Sequence, residues 1–383
     1  MEKPKIRFGK FNSKWKKNKL DEVVDFFDNQ RIPIDSGERK DGPYPYYGAS
    51  GIIDYVDGYI FNGEYVLLAE DGANIILRSS PIAYLSKGKF WLNNHAHIMR
   101  MKTGSNEFLI QLLENQNYEK YNTGTAQPKL NGEVVKNITL HFPSDEEQSI
   151  IGSLFSTLDE LLASYKDNLA NYQSFKTTML SKMFPKAGET VPEIRLDGFE
   201  GEWEIKRADE IFKSVSEKNK ASLPVLSASQ IDGMVLRDEL GIDIKYDEAT
   251  LNNYKVVKPG QFVIHLRSFQ GGFALSKLEG ITSPAYTIID FIDKENSLPA
   301  FWNSILTSRD FIKRLETVTY GIRDGKSISF KDFSSLKFVF PEFKEQQAIG
   351  SYFSNLNNLI NSHQEKISQL ETLKKKLLQD MFI

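Results

Sequence analysis

Cysteine is absent from all 383 residues, which excludes disulfides and any zinc site built on thiolates. No run approaches the roughly 18 apolar residues of a membrane-spanning helix. The opening MEKPKIRFGK carries no apolar signal region, so a cytoplasmic protein without a membrane role is expected. Charge of one sign is also missing. A net charge of -3 does not announce a nucleic-acid binder, so any such role has to come from local patches. No Pro-Pro pair occurs, which removes an Asn-Pro-Pro-aromatic motif, and no glycine-rich cofactor loop follows a strand. These absences argue against catalysis by this chain alone. Hydrophobic residues at 40% and aromatics at 12% still supply cores for two or three domains.

What the chain does have is a repeat. The stretch from Pro143 to Phe184 and the stretch from Pro341 to Phe382 match without a gap at 15 of 42 positions, at an offset of 198. Chance would give about two or three matches. Glu147/Glu345, Gln148/Gln346, Ile151/Ile349, Gly152/Gly350, Phe155/Phe353, Leu158/Leu356, Leu161/Leu359 and Met183/Met381 are among the pairs. A second match, at an offset of 188, joins KPKIRFGKFNSKW near the start to VPEIRLDGFEGEW after the first stretch. It pairs Arg7 with Arg195 and Trp15 with Trp203. The chain is a duplication of one plan: a lead-in segment, a globular body and a long helix.

Each helical copy shows an apolar heptad pattern. In the first, Ile151, Leu154, Leu158, Leu161, Tyr165, Tyr172, Phe175 and Met179 are expected to form the seam, with Phe155, Leu162, Leu169 and Met183 as a flanking row. In the second the seam is expected at Ile349, Tyr352, Leu356, Leu359, Leu370, Leu373 and Leu377, flanked by Phe353, Ile360, Ile367 and Met381. Ser144 and Glu147 are placed for a capping box, Glu342 caps the second copy, and Pro185 with Gly188 stops the first. A helix of about 40 residues is roughly 60 Å long, and such a stripe cannot remain in water, so the copies are expected to pack together. Helix one carries the chain from body one to body two, and a pseudo-two-fold repeat sends helix two back. The pair is then antiparallel, and the chain ends meet.

The bodies diverge. The first is rich in Gly, Tyr and short apolar runs, with strands expected at Tyr65–Ala69 and at 74–77 and a helix from Phe108 to Tyr121. The second has expected strands at Lys255–Val257, 261–266 and 285–292, then a helix around 300–315. Both close with a glycine-containing loop, a short helix and a strand running into proline.

Three patterns tempt a chemical reading. Gly321-Ile-Arg-Asp-Gly325-Lys326-Ser327 resembles a phosphate loop, but three residues rather than four separate its glycines. His95 and His97 suggest a metal, but nothing nearby completes a ligand set; the alternation puts both on one strand face. Base recognition fits better. His265, Arg267, Ser268 and Gln270 fall at a strand end and glycine turn, with Tyr320, Arg323 and Lys326 in the closing loop. In the first body the counterparts are Asn74, Asn94, His95, Thr123, Thr125, Gln127 and Lys129. Arg pairs with guanine and Gln with adenine through two hydrogen bonds, and Lys suits phosphate.

Two variable bodies alternating with helices of the form Glu-Gln-x-x-Ile-Gly-x-x-Phe resemble the specificity subunit of type I restriction–modification enzymes. The loop Gly124, Gln127, Pro128, Leu130 and the run YYGASGIIDYV from Tyr46 extend the resemblance over the whole chain. The second body departs at Gly325, Lys326 and Ser327, where the first has Gln127, Pro128 and Lys129. The resemblance implies an α/β (α+β) fold with two target-recognition domains, residues 1–142 and 186–340. Two long helices, residues 143–185 and 341–383, would join them as an antiparallel coiled coil. It implies a non-catalytic subunit with no cofactor or metal of its own, reading a split site on double-stranded DNA. Two modification subunits carrying S-adenosylmethionine would dock on it, and restriction subunits using ATP and magnesium would complete the complex. A coiled-coil scaffold that reads no DNA, and a single-chain modification or restriction enzyme, are the competing readings.

Overall fold

The computed structural model describes residues 3–229, 232–240, 248–265, 272–318 and 329–383. The chain divides into two compact units, Met1–Asp167 with Gln364–Ile383, and Asn168–His363. The division passes through both long helices, Asp145–Lys182 and Phe343–Met381, so each unit contains a segment of each.

The body of the first unit is a six-stranded sheet. Its strands lie in the order Val24–Phe26, Ala96–Met101, Phe61–Ala69, Ala83–Leu92, Asp41–Gly48, Gly51–Val56. All neighbours are antiparallel except Asp41–Gly48 beside Ala83–Leu92. The central strand is buried on both faces, and its two-residue period sorts its side chains into two cores. Val66 and Leu68 join Met99, Phe108 and Leu112 on one side, whereas Leu67 joins Phe61, Phe90 and Ile98 on the other. The second unit holds a four-stranded antiparallel sheet, Phe212–Val215, Thr287–Phe291, Phe262–Ile264 and Phe273–Leu275. Aromatic rings fill its core: Phe212, Phe291, Phe301, Trp302, Phe311, Phe333 and Phe338 are all buried.

Both bodies hang from the same clasp. In the first unit Lys16–Lys19 pairs antiparallel with Thr139–Phe142; in the second Glu204–Arg207 pairs with Lys337–Phe340. A one-turn helix follows each lead-in strand, and Glu22 and Glu210 accept from the backbone amides of Lys19 and Arg207 at its start. The exit strand of each clasp leads into a long helix. The long helices are antiparallel within each unit. In the first, Asp159 meets Lys374 at 2.5 Å and Lys166 meets Glu371 at 2.7 Å. In the second, the Tyr172 ring faces His363 and Phe184 stacks on Phe353. The expected meeting of the chain ends is present in the first unit, where Ile6 donates its amide to Asp380.

The seam differs from the expected one. Buried and half-buried positions run Phe155, Leu158, Leu162, Tyr165, Leu169, Tyr172, Lys176, Met179 and Met183. The second helix gives Phe353, Leu356, Ile360, His363, Ile367, Leu370, Lys374, Leu377 and Met381. The row expected to flank the seam is therefore inside it. Leu161 and Phe175 are 43% and 48% exposed, and Leu359 and Leu373 are 37% and 44% exposed. Apolar residues occur on both sides of the shared Leu158 row, so either row satisfies a heptad; packing of the partner helix selects one.

Other local expectations also change. Residues 74–77 form one helical turn rather than a strand. The Asn74 carboxamide folds back to accept from the Ser80 amide and the Ser79 hydroxyl, which closes the turn. The helix expected from Phe108 to Tyr121 spans Asn106–Glu114, with a separate turn at Glu119–Tyr121. The helix around 300–315 is two, Pro299–Leu306 and Arg309–Val318. The capping box is half made. Ser144 accepts from the Glu147 amide at 3.4 Å, but the Glu147 carboxylate pairs with Arg7 instead of reaching back.

Candidate nucleic-acid interface

The loop Asn122–Leu130 is built by hydrogen bonds to itself. Asn122 Oδ1 accepts from the amides of Gly124 and Lys129, and the Thr123 amide and hydroxyl both donate to the Lys129 carbonyl. A Cβ at Gly124 would lie 1.8 Å from the Gln127 carbonyl oxygen, so glycine alone lets the loop close this tightly. The closed loop leaves Thr123, Thr125, Gln127 and Lys129 exposed along its rim.

The loop rests on a charged base. Gly72 donates to the Pro128 carbonyl, and Leu130 donates to the Glu70 carbonyl at 2.7 Å. Lys129 Nζ lies 3.3 Å from Glu70 Oε1, and Arg31 holds the other Glu70 oxygen at 2.6 Å. Arg31 also donates to the carbonyls of Asp28 and Ala96. Buried His97 faces Asp28 Oδ2 at 2.6 Å and the Leu130 carbonyl at 2.7 Å, so both ring nitrogens are engaged. Burial by itself would push the Asp28 carboxyl up. The hydrogen bond and charge of His97, the Ile98 amide and the Arg31 charge outweigh that and hold it below the usual carboxylate range.

Of the first-body candidates, His95, Thr123, Thr125, Gln127 and Lys129 come together around this loop. His95 precedes the strand Ala96–Met101 and pairs with Asp71 at 2.8 Å, so it does not share the buried setting of His97. Asn94 sits in the same turn, exposed. Asn74 stands apart, its carboxamide committed to residues 79 and 80. In the second body His265 is half-buried at the end of its strand, its amide bonded to the Gly272 carbonyl and its ring edge-on to Tyr286. Arg267, Ser268, Gln270, Tyr320, Arg323 and Lys326 lie outside the described residues. The supporting set of Asp28, Arg31, Glu70 and Asp71 was missed by sequence reading. Its members are scattered over more than forty residues, and only the sheet order brings them beneath one loop.

The long helices present a second surface. With Phe155, Leu162 and Lys176 at heptad position a, Leu161 and Phe175 fall at g, and so do Leu359 and Leu373 in the second helix. The first unit thus displays Leu161 and Leu373, and the second Phe175 and Leu359. The two pairs are duplicates of each other. The Lys166–Glu371 ion pair occupies the e positions of the first unit.

A family model for the type I restriction modification DNA specificity domain matches residues 12–171 and 200–372. A type I restriction enzyme specificity subunit of Methanocaldococcus jannaschii is 23% identical over 394 residues, covering 95% of this chain and 91% of that one. A putative type I restriction enzyme specificity subunit of Haemophilus influenzae is 38% identical over 143 residues. That alignment spans 37% of each chain, so little over a third of this relative is matched. The solved S subunit of a type I restriction-modification system from M. genitalium superposes with a TM-score of 0.68 at 15% identity. It covers 100% of this chain and 99% of its own.

Proposed function

Because the chain belongs to the type I restriction–modification DNA specificity family, we propose that it is the non-catalytic subunit that reads a bipartite site on double-stranded DNA. Residues 1–142 and 186–340 are the two readers, and residues 143–185 and 341–383 are the helices that join them and set the gap between half-sites. The observation that carries this reading is the repeated clasp, Lys16–Lys19 with Thr139–Phe142 and Glu204–Arg207 with Lys337–Phe340, around two different sheets. A common frame holding unlike bodies suits two independent sequence readers on one scaffold.

In the first reader the Asn122–Leu130 rim supplies the contacts. Gln127 suits an adenine edge, Thr123 and Thr125 either base type, and Lys129 and His95 a phosphate or guanine. His265, Arg267, Ser268, Gln270, Tyr320, Arg323 and Lys326 take this role in the second. The duplicated pairs Leu161 with Leu373 and Phe175 with Leu359 each receive one modification subunit. Methyl transfer from S-adenosylmethionine takes place on those partners, and restriction subunits bring ATP and magnesium, all in the cytoplasm.

The test is a chimaera in which 21–142 is replaced by the same body of a related subunit. The junctions fall just after the clasp strands Lys16–Lys19 and Thr139–Phe142 and leave the two long helices untouched. Methylated positions are then mapped in cells carrying the partner subunits. One half-site should change and the other persist. An entirely new site, or no ordered change from a well-assembled complex, would defeat the two-reader assignment. Binding to the bipartite duplex should also weaken steeply with salt, which a pure protein scaffold would not show.

A further inference from the structure

His97 is 1% exposed, yet both of its ring nitrogens face oxygen acceptors. A carboxylate and a carbonyl have no hydrogen to give. The bond to the Leu130 carbonyl therefore needs the ring proton on Nε2, which makes that nitrogen the donor. Charged groups surround the ring. Asp28 lies against Nδ1 and Glu70 is 3.7 Å away, with Arg31 bridging the two carboxylate residues and Lys129 on the outer Glu70 oxygen. Asp28 is itself fixed, because its other oxygen accepts the Ile98 amide at 2.9 Å.

What this ring holds is the end of the recognition loop. Leu130 is gripped on both sides of its backbone: its amide donates to Glu70 and its carbonyl accepts from His97 Nε2. The residue before it, Lys129, closes the loop through Thr123 and Asn122. A shift of Leu130 would be passed directly to the exposed rim, and base recognition tolerates only about half an ångström of displacement.

We infer that His97, braced by Asp28, is the positioning residue that mounts the Asn122–Leu130 loop for base recognition in the first half-site. It touches no DNA itself and acts through Leu130. This assignment rests on the proposal that the first body is a DNA reader.

The test uses the complete complex with its modification subunits, assayed for methylation on duplexes carrying base changes in one half-site or the other. His97→Leu removes the donor to Leu130, whereas His97→Gln places an amide nitrogen where Nε2 stood. H97L should lower discrimination in the first half-site by about tenfold or more, the low end of what a lost base contact costs, and leave the second unchanged. H97Q should recover most of it. Equal loss at both half-sites, or no loss with H97L, would overturn the assignment.

The ring itself gives a readout independent of any variant's folding. Nitrogen-15 spectra of the full chain, which has only five histidines, should show a proton on His97 Nε2 hydrogen-bonded to the Leu130 carbonyl. A bare Nε2 would refute the clamp. If the unaltered complex shows no bipartite preference, the reader proposal fails, and the ring spectrum still decides the state of His97.

Discussion

Arg7 grips Glu147 at two points, Nε to Oε1 at 2.6 Å and Nη2 to Oε2 at 2.7 Å, with the carboxylate wholly buried. The duplicate pair, Arg195 and Glu345, repeats this fork at 2.8 and 2.7 Å. Each fork ties a lead-in segment to the first turn of the long helix that follows its body. The helix N-terminus already favours a carboxylate, and the arginine neutralises the cost of burying it.

Removing one partner strands the other charge. Glu147→Ala and Glu345→Ala are each expected to cost about 3–5 kcal/mol of stability. The two sites should differ when both partners become apolar. Arg195 also donates to the Gly201 carbonyl, whereas Arg7 Nη1 is buried with no hydrogen-bond partner among the described residues. Replacing Arg7 and Glu147 together should thus be the better tolerated double change. Chemical unfolding of the four variants measures this, and single variants as stable as the parent would show that the forks contribute little.

Gly152 and Gly350 are the points where each long helix meets the start of a body helix. A Cβ at Gly152 would lie 2.5 Å from Ser105 Oγ and 2.9 Å from the Phe108 amide nitrogen. That hydroxyl is the cap of the helix Asn106–Glu114, so neither atom can retreat without losing a bond. At Gly350 the nearest atom, at 2.8 Å, is the end of the flexible Leu298 side chain. Alanine gains about 1 kcal/mol of helix propensity at either site, against overpacking of about 1–3 kcal/mol. Gly152→Ala should lower the melting temperature clearly, and Gly350→Ala should lower it less, because the backbone it approaches, Phe301 N, is farther off at 3.2 Å. The reverse order would contradict this packing.

Lys176 and Lys374 are duplicates within the seam. Lys374 has Asp159 as its partner, but the residue duplicating Asp159 is Asn357. Burial holds the Lys176 pKa below its usual value. A lysine lowered in this way costs stability in full below its folded pKa; the cost fades as pH rises toward the unfolded value and is absent above it. Asn357→Asp should offset it at neutral pH by about 0.5–1 kcal/mol, since the site is partly open to solvent. The gain should shrink on the alkaline side as the lysine loses its proton. Denaturant unfolding across that range checks both parts, and a destabilised variant at pH 7 would sink the pairing.

The exposed g positions predict stoichiometry. Leu161→Asp should remove one modification subunit and leave the other, and Phe175→Asp should do the same at the duplicate site. An anchor of this kind is worth about 2 kcal/mol or more, roughly a thirtyfold loss of affinity. Neither change should alter the melting temperature, because both side chains are exposed in the free chain. Native mass measurement of the assembled complex counts the copies; two retained in both variants would place the docking surface elsewhere.

The duplication, the two long helices and the closing helix–strand of each body were legible before any fold was known. They are written in local signals: periodicity, caps and repeated residue types at fixed offsets. The candidate loop from Thr123 to Lys129 was legible for the same reason. Its supports were not, because Asp28, Glu70 and His97 carry no shared local pattern and meet only through strand pairing.

The chain alone therefore determined that there are two frames, two unlike bodies and two apolar helices, since period and identity are properties of neighbouring residues. Tertiary structure decided which helical row is buried, as either row suits a heptad until a partner helix covers one of them. It also decided that Arg7 closes on Glu147 rather than Glu147 closing on its own cap, 140 residues away in the chain. A buried carboxylate takes the strongest donor within reach, and only the folded clasp brings that donor near.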